Sequence, residues 1–352
     1  MRRHRSVRLA RQTSGKYKSV VVTREGVPEV LEIVENDRRA PLPGEARVRI
    51  LACCVCLPDV QARYGQSPFA PKLPFVPGYA IVGVVDALGT GVHNAAVGDR
   101  VAALTRLGGY AEYILLASNR LIPVPTTLDP AEAVTLILNY VVAYQVLHRW
   151  AKVKAGDTVL IIGASGGCGT AFLDLGKLAG LKMYGTASAS KHHVITAYGA
   201  TPIDYSAQDF VEVIRQAEPK GLDAVCDGMG EDYLRRGFSL LRRGGKWVAY
   251  GNPLSVSGLL RLLVRFILLN LLPNGRSLKL YGTGLYEFNR RPFLEDWAKL
   301  FKLLEEGSIR PVIMERFSIL EAAKANRLLE SGKVIGNLVL LAPELLTPAE
   351  WM

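Results

Sequence analysis

The chain has 352 residues, 49% of them hydrophobic, with five cysteines and a formal net charge of +11. That length and apolar content fit two globular domains with a large core. Seven Lys and Arg residues fall in the first twenty positions, which hold no Asp or Glu, so the charge excess is local and the body is not expected to bind nucleic acid.

Residues 1–16 read as a basic arm, MRRHRSVRLARQTSGK, expected to be a disordered extension. Its Arg-rich, acid-free character also leaves an organelle presequence or an arm for anionic surfaces open. It has no apolar h-region, so secretion is not expected and a cytoplasmic location is. Cys53 and Cys56 form a C-x-x-C inside an apolar run, with Cys54, Cys168 and Cys226 scattered elsewhere. That arrangement suits neither a disulfide framework nor a structural zinc site, and free thiols in a reducing compartment are expected.

Residues 17–128 have the short strands and frequent turns of a β-rich domain. A hairpin is expected over Tyr17–Glu35, with Glu25-Gly26 in its turn. A strand follows at 46–55, then a short helix at Pro58–Arg63 and an irregular, Pro-rich stretch from Ser67 to Gly78. Strands are expected at Ala80–Leu88, Arg100–Leu104 and Ala111–Leu116. From Asp129 the rhythm changes. A helix at Ala131–Trp150, opened by Asp129-Pro130, leads into alternation. Strands at 158–162, 181–185, 202–204, 222–226, 246–250 and 278–283 alternate with helices at 170–179, 191–198, 207–217 and 231–241. This is an α/β, doubly wound parallel sheet over 129–286. A helix at 290–307, the run PVIMERFSI, a helix at 320–331 and a strand at Asn337–Leu341 are expected to return to the first domain, so 287–342 joins 17–128 and 343–352 is a tail.

The stretch TVLIIGASGGCG, Thr158–Gly169, organises the second domain. A β-branched strand ends in Ala164-Ser165-Gly166-Gly167-Cys168-Gly169, and an apolar-periodic helix opens behind it. Small residues there let a backbone approach a dinucleotide pyrophosphate, and the helix N-terminus supplies amides and partial positive charge. Gly163-Ala164-Ser165-Gly166-Gly167 also fits the G-x-S-x-G nucleophile elbow, but no His follows His193 to complete a hydrolase triad. Ser257–Leu272, SGLLRLLVRFILLNLL, reads as a helix capped by Ser257 and stopped by Pro273. At 1.5 Å per residue it spans roughly 24 Å, short of a bilayer core. A helix apolar on nearly every face must bury itself. It is expected to wall a substrate pocket or a dimer contact, with peripheral membrane docking through 257–272 as the alternative.

The ordered strings LPFVPGYAIVGVVDALGTGV, VGDRV, GGYAEY and GDTVLIIGASGGCGTAFLDLGKL resemble the medium-chain dehydrogenase/reductase superfamily, and within it the zinc-free quinone oxidoreductases. The resemblance spans about residues 18–342. It implies a GroES-like β-rich catalytic domain built from both chain ends around a Rossmann domain, commonly as a homodimer. Zinc-dependent members carry Cys in C-x-x-D, which Cys56-Leu57-Pro58-Asp59 matches, and His in G-H-E, whose place Gly78-Tyr79-Ala80 takes. No metal is therefore expected. Cys56, Ser67 and Val142 stand where quinone reductases commonly carry Asn, Tyr and Thr.

An NAD site wants an acid about twenty residues past the glycine turn. That zone here holds Thr186, Ser188, Ser190 and Lys191, which suits the 2′-phosphate of NADPH. Tyr205 matches a family position bordering that phosphate. Asp227-Gly228 and Gly251-Asn252, at strand ends, are expected to complete the cofactor wall, as is Gly282-Thr283; Asn337 replaces a Lys common in relatives. Without a Lewis acid, hydride transfer needs an acceptor whose product anion is delocalised, a quinone or an α,β-unsaturated carbonyl. The candidate catalytic residues are Asp59, Tyr64 and Ser67, with Tyr140 also weighed; Asp59 is expected to hold the pocket loop, with Arg63 one turn away.

Overall fold

The structure is a computed structural model that describes residues 15–346 apart from Ser67 and Asn252. Of the expected basic arm, residues 1–14 lie outside it, and of the expected tail, residues 347–352.

Alternating and β-branched runs build the first domain. β1 (Lys16–Val22) pairs antiparallel with β2 (Leu31–Asp37). β3 (Glu45–Val55) is buried along almost its whole length, Arg47 included, and α1 (Leu57–Arg63) follows at once. β4 (Ala80–Leu88), β5 (Arg100–Leu104), β6 (Tyr113–Ala117) and β7 (Ile122–Pro123) complete the N-terminal share.

α2 (Pro130–Ala151) opens where Asp129 accepts from the Ala131 amide at 2.6 Å and ends at Lys152, φ 57°. It is long and apolar enough to cross a membrane, yet 83% of its most apolar window is buried inside the protein. Its apolarity is explained by burial between the two sheets, where it fills the largest core cluster with residues of both. Its turns widen over Leu136–Tyr140, and this rotates Leu138, Asn139 and Val142 toward the domain boundary.

The second domain runs β8 (Thr158–Ile162), α3 (Gly167–Leu178), β9 (Lys182–Ala187), α4 (His192–Ala197), β10 (Thr201–Asp204), α5 (Phe210–Ala217), β11 (Leu222–Asp227), α6 (Glu231–Gly237), β12 (Leu241–Ala249), α7 (Val256–Leu271) and β13 (Ser277–Leu280). Its six strands are parallel in the order β10-β9-β8-β11-β12-β13. Strand order reverses between β8 and β11, the point where such sheets open a crevice. β12 starts at Leu241 rather than 246, because the polar run Arg242–Gly245 extends the strand instead of the preceding helix.

α8 (Arg291–Glu305), β14 (Ile313–Ser318), α9 (Ala322–Glu330) and β15 (Asn337–Leu341) bring the chain back. β15 inserts between β14 and β3 in the order β14-β15-β3-β4-β5-β7, with β6 also on β3. α8 packs on α2: Phe293 and Trp297 enter the shared core, and buried Asp296 accepts from Gln145 Nε2 at 2.9 Å and Arg149 Nε at 2.7 Å.

α7 corrects the reading of 257–272 in two ways. Ser255, not Ser257, caps it, accepting from the Gly258 amide at 3.0 Å. Leu262, Phe266 and Leu269 pack on the core under the sheet, and Asn270 bonds both the carbonyl and the amide of Leu278. The opposite face points outward, from Leu263 at 41% exposed to Leu271 at 73%.

Asp296→Ala removes the buried one of Arg149's two carboxylate partners, leaving Glu295, and takes an acceptor from Gln145 at the α2–α8 contact. The expected loss is roughly 2–4 kcal/mol of stability. A thermal midpoint equal to that of the parent protein would mean that this contact adds nothing.

Candidate active site

The glycine turn meets the first domain across a cleft at the carboxyl ends of the parallel strands. Ile162, Gly163 and Gly166 to Gly169 line one side; Cys56, Leu57, Pro58 and Tyr79 line the other. Leu138, Asn139 and Val142 of α2 form the floor, and Gly228, Gly251 and Thr283, past the ends of β11, β12 and β13, close the wall.

The turn has the shape a pyrophosphate needs. Gly166 caps α3 with no side-chain hydrogen bond, so no side chain covers the amides of its first turn. A Cβ on Gly169 would stand 2.3 Å from the Gly163 carbonyl oxygen, so only glycine lets the helix seat this close to the strand. Ala164 and Ser165 shape the turn from behind: both are buried, and the Ser165 carbonyl accepts from the Gly336 amide at 2.9 Å. These features fit a dinucleotide.

One expected cofactor residue has other work. Asp227 is fully buried and accepts from Met229 N (2.8 Å), Gly230 N (2.9 Å) and Trp247 Nε1 (3.0 Å). Burial lifts its carboxyl to about 6 against those three bonds. It holds the Gly228–Gly230 loop and is not itself in the cleft wall. Asn252 lies outside the described residues.

At the end of β9, Thr186 is buried and accepts from Gly163 N at 3.0 Å, and the Ser188 and Ser190 hydroxyls are 3.3 Å apart. Tyr205 is 55% exposed. Lys191 reaches across the boundary to the carbonyls of Gly332 (2.5 Å) and Val334 (2.9 Å). An ammonium has three donors, so one stays available for a phosphate without breaking these bonds.

The candidate catalytic residues fare differently. Asp59 is buried at 3% exposure and accepts from Cys56 N (3.2 Å), Cys56 Sγ (2.9 Å), Gly78 N (2.9 Å) and Tyr110 Oη (3.3 Å). It stands behind the cleft wall, and burial raises its carboxyl to about 6. Tyr64 does not itself line the cleft and gives its hydroxyl to Glu330, which does, at 2.9 Å; Ser67 lies outside the described residues. Tyr140 is a core residue bonded to Asp174 at 2.7 Å. Arg63, expected beside Asp59, is buried and pairs instead with Glu330 and the Gly26 carbonyl.

The cleft also holds polar groups that the sequence reading passed over. Asn139 donates to Asn337 at 2.5 Å and accepts from Cys168 Sγ at 3.2 Å, a network at the base of the glycine turn. A lone Asn inside the apolar run LILNYVV was the signal for it. Tyr79 projects its hydroxyl to Thr283 Oγ1 at 3.1 Å across the cleft.

The residues do not suit a catalytic zinc. Burial drives the Cys56 thiol well above its usual pKa, and its proton goes to Asp59. Among the described residues no three His, Cys, Asp or Glu side chains gather as a metal set. α7 supplies no residue to the cleft, so the expected pocket wall is not there. Its anchoring to β13 turns its free face to the outside instead.

Comparison with known proteins agrees with this geometry. The alcohol dehydrogenase GroES-like domain family matches residues 42–126 and the zinc-binding dehydrogenase family matches 198–340. Pig (Sus scrofa) quinone oxidoreductase is 31% identical over 92% of this chain and 97% of its own length. The rat (Rattus norvegicus) synaptic vesicle membrane protein VAT-1 homolog is 34% identical over 86% of this chain and 78% of its own. A mycobacterial structure solved as a complex with NADPH superimposes with a TM-score of 0.79 at 28% identity, over 92% of this chain and 99% of that one. The chain belongs to the medium-chain dehydrogenase/reductase superfamily, in its zinc-free, quinone-oxidoreductase-like branch.

Proposed function

We propose that this oxidoreductase is zinc-independent, uses NADPH, and passes hydride to a quinone or an α,β-unsaturated carbonyl. The observation that carries the reading is the composition of the cleft: an uncapped glycine turn faces an apolar wall in which Cys56 is tied to Asp59 and Tyr79 occupies the place of an imidazole. The amides of Gly167, Cys168 and Gly169 would hold the pyrophosphate. Ser188, Lys191 and Tyr205 would face the ribose phosphate, and β9 ends without an acid to select a free 2′-hydroxyl. NADPH, when bound, supplies the hydride. The protein aligns the acceptor against the floor formed by Leu138 and Val142 and excludes water from it. The mycobacterial relative solved with NADPH and the pig enzyme's name support the cofactor and the acceptor class.

NADPH oxidation against a panel of quinones and enals tests the reading. Activity should survive prolonged chelation; chelator-sensitive oxidation of simple alcohols would overturn it. Lys191→Ala should raise the Michaelis constant for NADPH at least several-fold, since a charge-assisted bond contributes about 1.5–3 kcal/mol. The constant for NADH should stay within twofold. Equal effects on both cofactors would remove Lys191 from the phosphate site.

A second reading concerns the outside of the molecule. The outward face of α7 carries Val256, Leu260, Val264, Ile267, Leu268 and Leu271, and residues 233–286 hold nine Lys and Arg with no Asp or Glu. An apolar stripe in a basic surround suits an anionic lipid surface, whereas two copies meeting there would bring like charges together. The rat relative's name, a vesicle membrane protein, supports it. The protein should co-float with phosphatidylserine vesicles, and Leu260→Glu with Ile267→Glu should abolish this. A change of oligomeric state in that variant, with no flotation of the parent, would make the face a contact between copies.

A further inference from the structure

We infer that Tyr79 is a catalytic residue, the hydrogen-bond and proton donor to the carbonyl oxygen of the acceptor; this rests on the functional reading above. Three observations carry it. Tyr79 lines the cleft on the first domain's side, where the zinc-dependent pattern has its His. Its hydroxyl hydrogen-bonds Thr283 Oγ1 at 3.1 Å, on the opposite side, past the end of β13. Its backbone is clamped: the Tyr79 carbonyl accepts from the amides of Thr105 (2.9 Å) and Arg106 (3.0 Å), and the preceding Gly78 amide is held by Asp59 at 2.9 Å. A Cβ on Gly78 would stand 2.4 Å from the Gly109 Cα, so the two loops lock together behind the ring. A donor that must meet charge as it forms gains most from such rigidity.

Two other protonated groups that line the cleft are committed. Cys56 gives its proton to Asp59, and Tyr281 gives its hydroxyl to Gln145 at 3.0 Å. Glu330 accepts from Arg63 and Tyr64. The Tyr79–Thr283 bond can run in either direction. With Thr283 donating to the phenol oxygen, the Tyr79 proton is free to point at an acceptor. Burial raises the Tyr79 pKa above its ordinary value, so the group stays a protonated donor at neutral pH.

The step balances as follows. Hydride joins the β-carbon of the conjugated acceptor, and the C=C electron pair moves toward the carbonyl to form an enolate. The enolate oxygen takes the Tyr79 proton as the phenol O–H bond breaks. Thr283 donates to the phenolate until a solvent proton restores it. The enol becomes the saturated carbonyl, or, from a quinone, the hydroquinone. Each turnover oxidises one NADPH and consumes one solvent proton.

Tyr79→Phe keeps the ring and removes only the hydroxyl. kcat should fall about a hundredfold, the usual consequence of deleting one such donor, with the Michaelis constant for NADPH unchanged. A second measurement needs no cofactor. 4-Nitrophenol, bound to the protein alone, should be driven toward its yellow phenolate by the parent, and the variant should bind that phenolate at least tenfold more weakly. A variant that keeps kcat within twofold of the parent, or that binds 4-nitrophenolate equally well, overturns the assignment. If the parent binds the phenolate through Tyr79 yet reduces no quinone or enal, the donor site stands and the functional reading falls.

Discussion

One buried carboxylate fixes the first-domain wall of the cleft. Asp59, at 3% exposure, accepts four hydrogen bonds, from the Cys56 amide and thiol, the Gly78 amide and the Tyr110 hydroxyl. Those bonds tie the start of α1, the loop before β4 and the barrel core to one point. Burying a carboxylate is costly unless its lone pairs are filled, which is why its surroundings are all donors. The same group that immobilises Cys56 thus also sets Tyr79, one residue past Gly78, at the mouth of the cleft.

α2 does the corresponding work for the whole chain. It is buried by the first domain's β3 and β4, by α3 behind the glycine turn and by α8 from the return segment. Its wide turn over Leu136–Tyr140 carries Asn139 to the base of the glycine turn, where Asn337 and Cys168 meet it. The cofactor turn, the return strand and the helix therefore share a hydrogen-bonded junction. The cleft floor is rigid because three segments distant in sequence hold it at once.

Local signals were legible in the sequence where neighbours along the chain decide the outcome. The strand–turn–helix at Thr158–Gly169, the strands at Ala80–Leu88 and Asn337–Leu341, and the Asp129 cap all follow from periodicity and turn chemistry. What escaped depends on partners far away. Tyr79 and Thr283 are 204 residues apart, and Asn139 and Asn337 are 198 apart. A mismatch to G-H-E reveals a missing imidazole but not where a phenol points. The acid of C-x-x-D allowed both a catalytic and a loop-holding reading, and the fold spends Asp59 on holding backbone, as the second reading expected. α7 was misplaced because leucines on every face give no hint of which face packs.

The position of β15 shapes how this molecule comes into being. The ribosome releases β3 to β6 early, but the strand that covers the Ala52–Val55 end of the β3 edge is Asn337–Leu341, all five residues of it buried. For most of synthesis that edge is open, with unpaired amides and carbonyls beside apolar side chains, the geometry that invites pairing between chains. The nucleotide-binding half, by contrast, has all six of its strands by Leu280. It is free to consolidate first and to hold α2 as a template on which the first half closes. Translation that halts a few codons before Asn337 would therefore yield a folded dinucleotide domain carrying an adhesive, unfinished barrel, a nascent chain that quality control has reason to recognise.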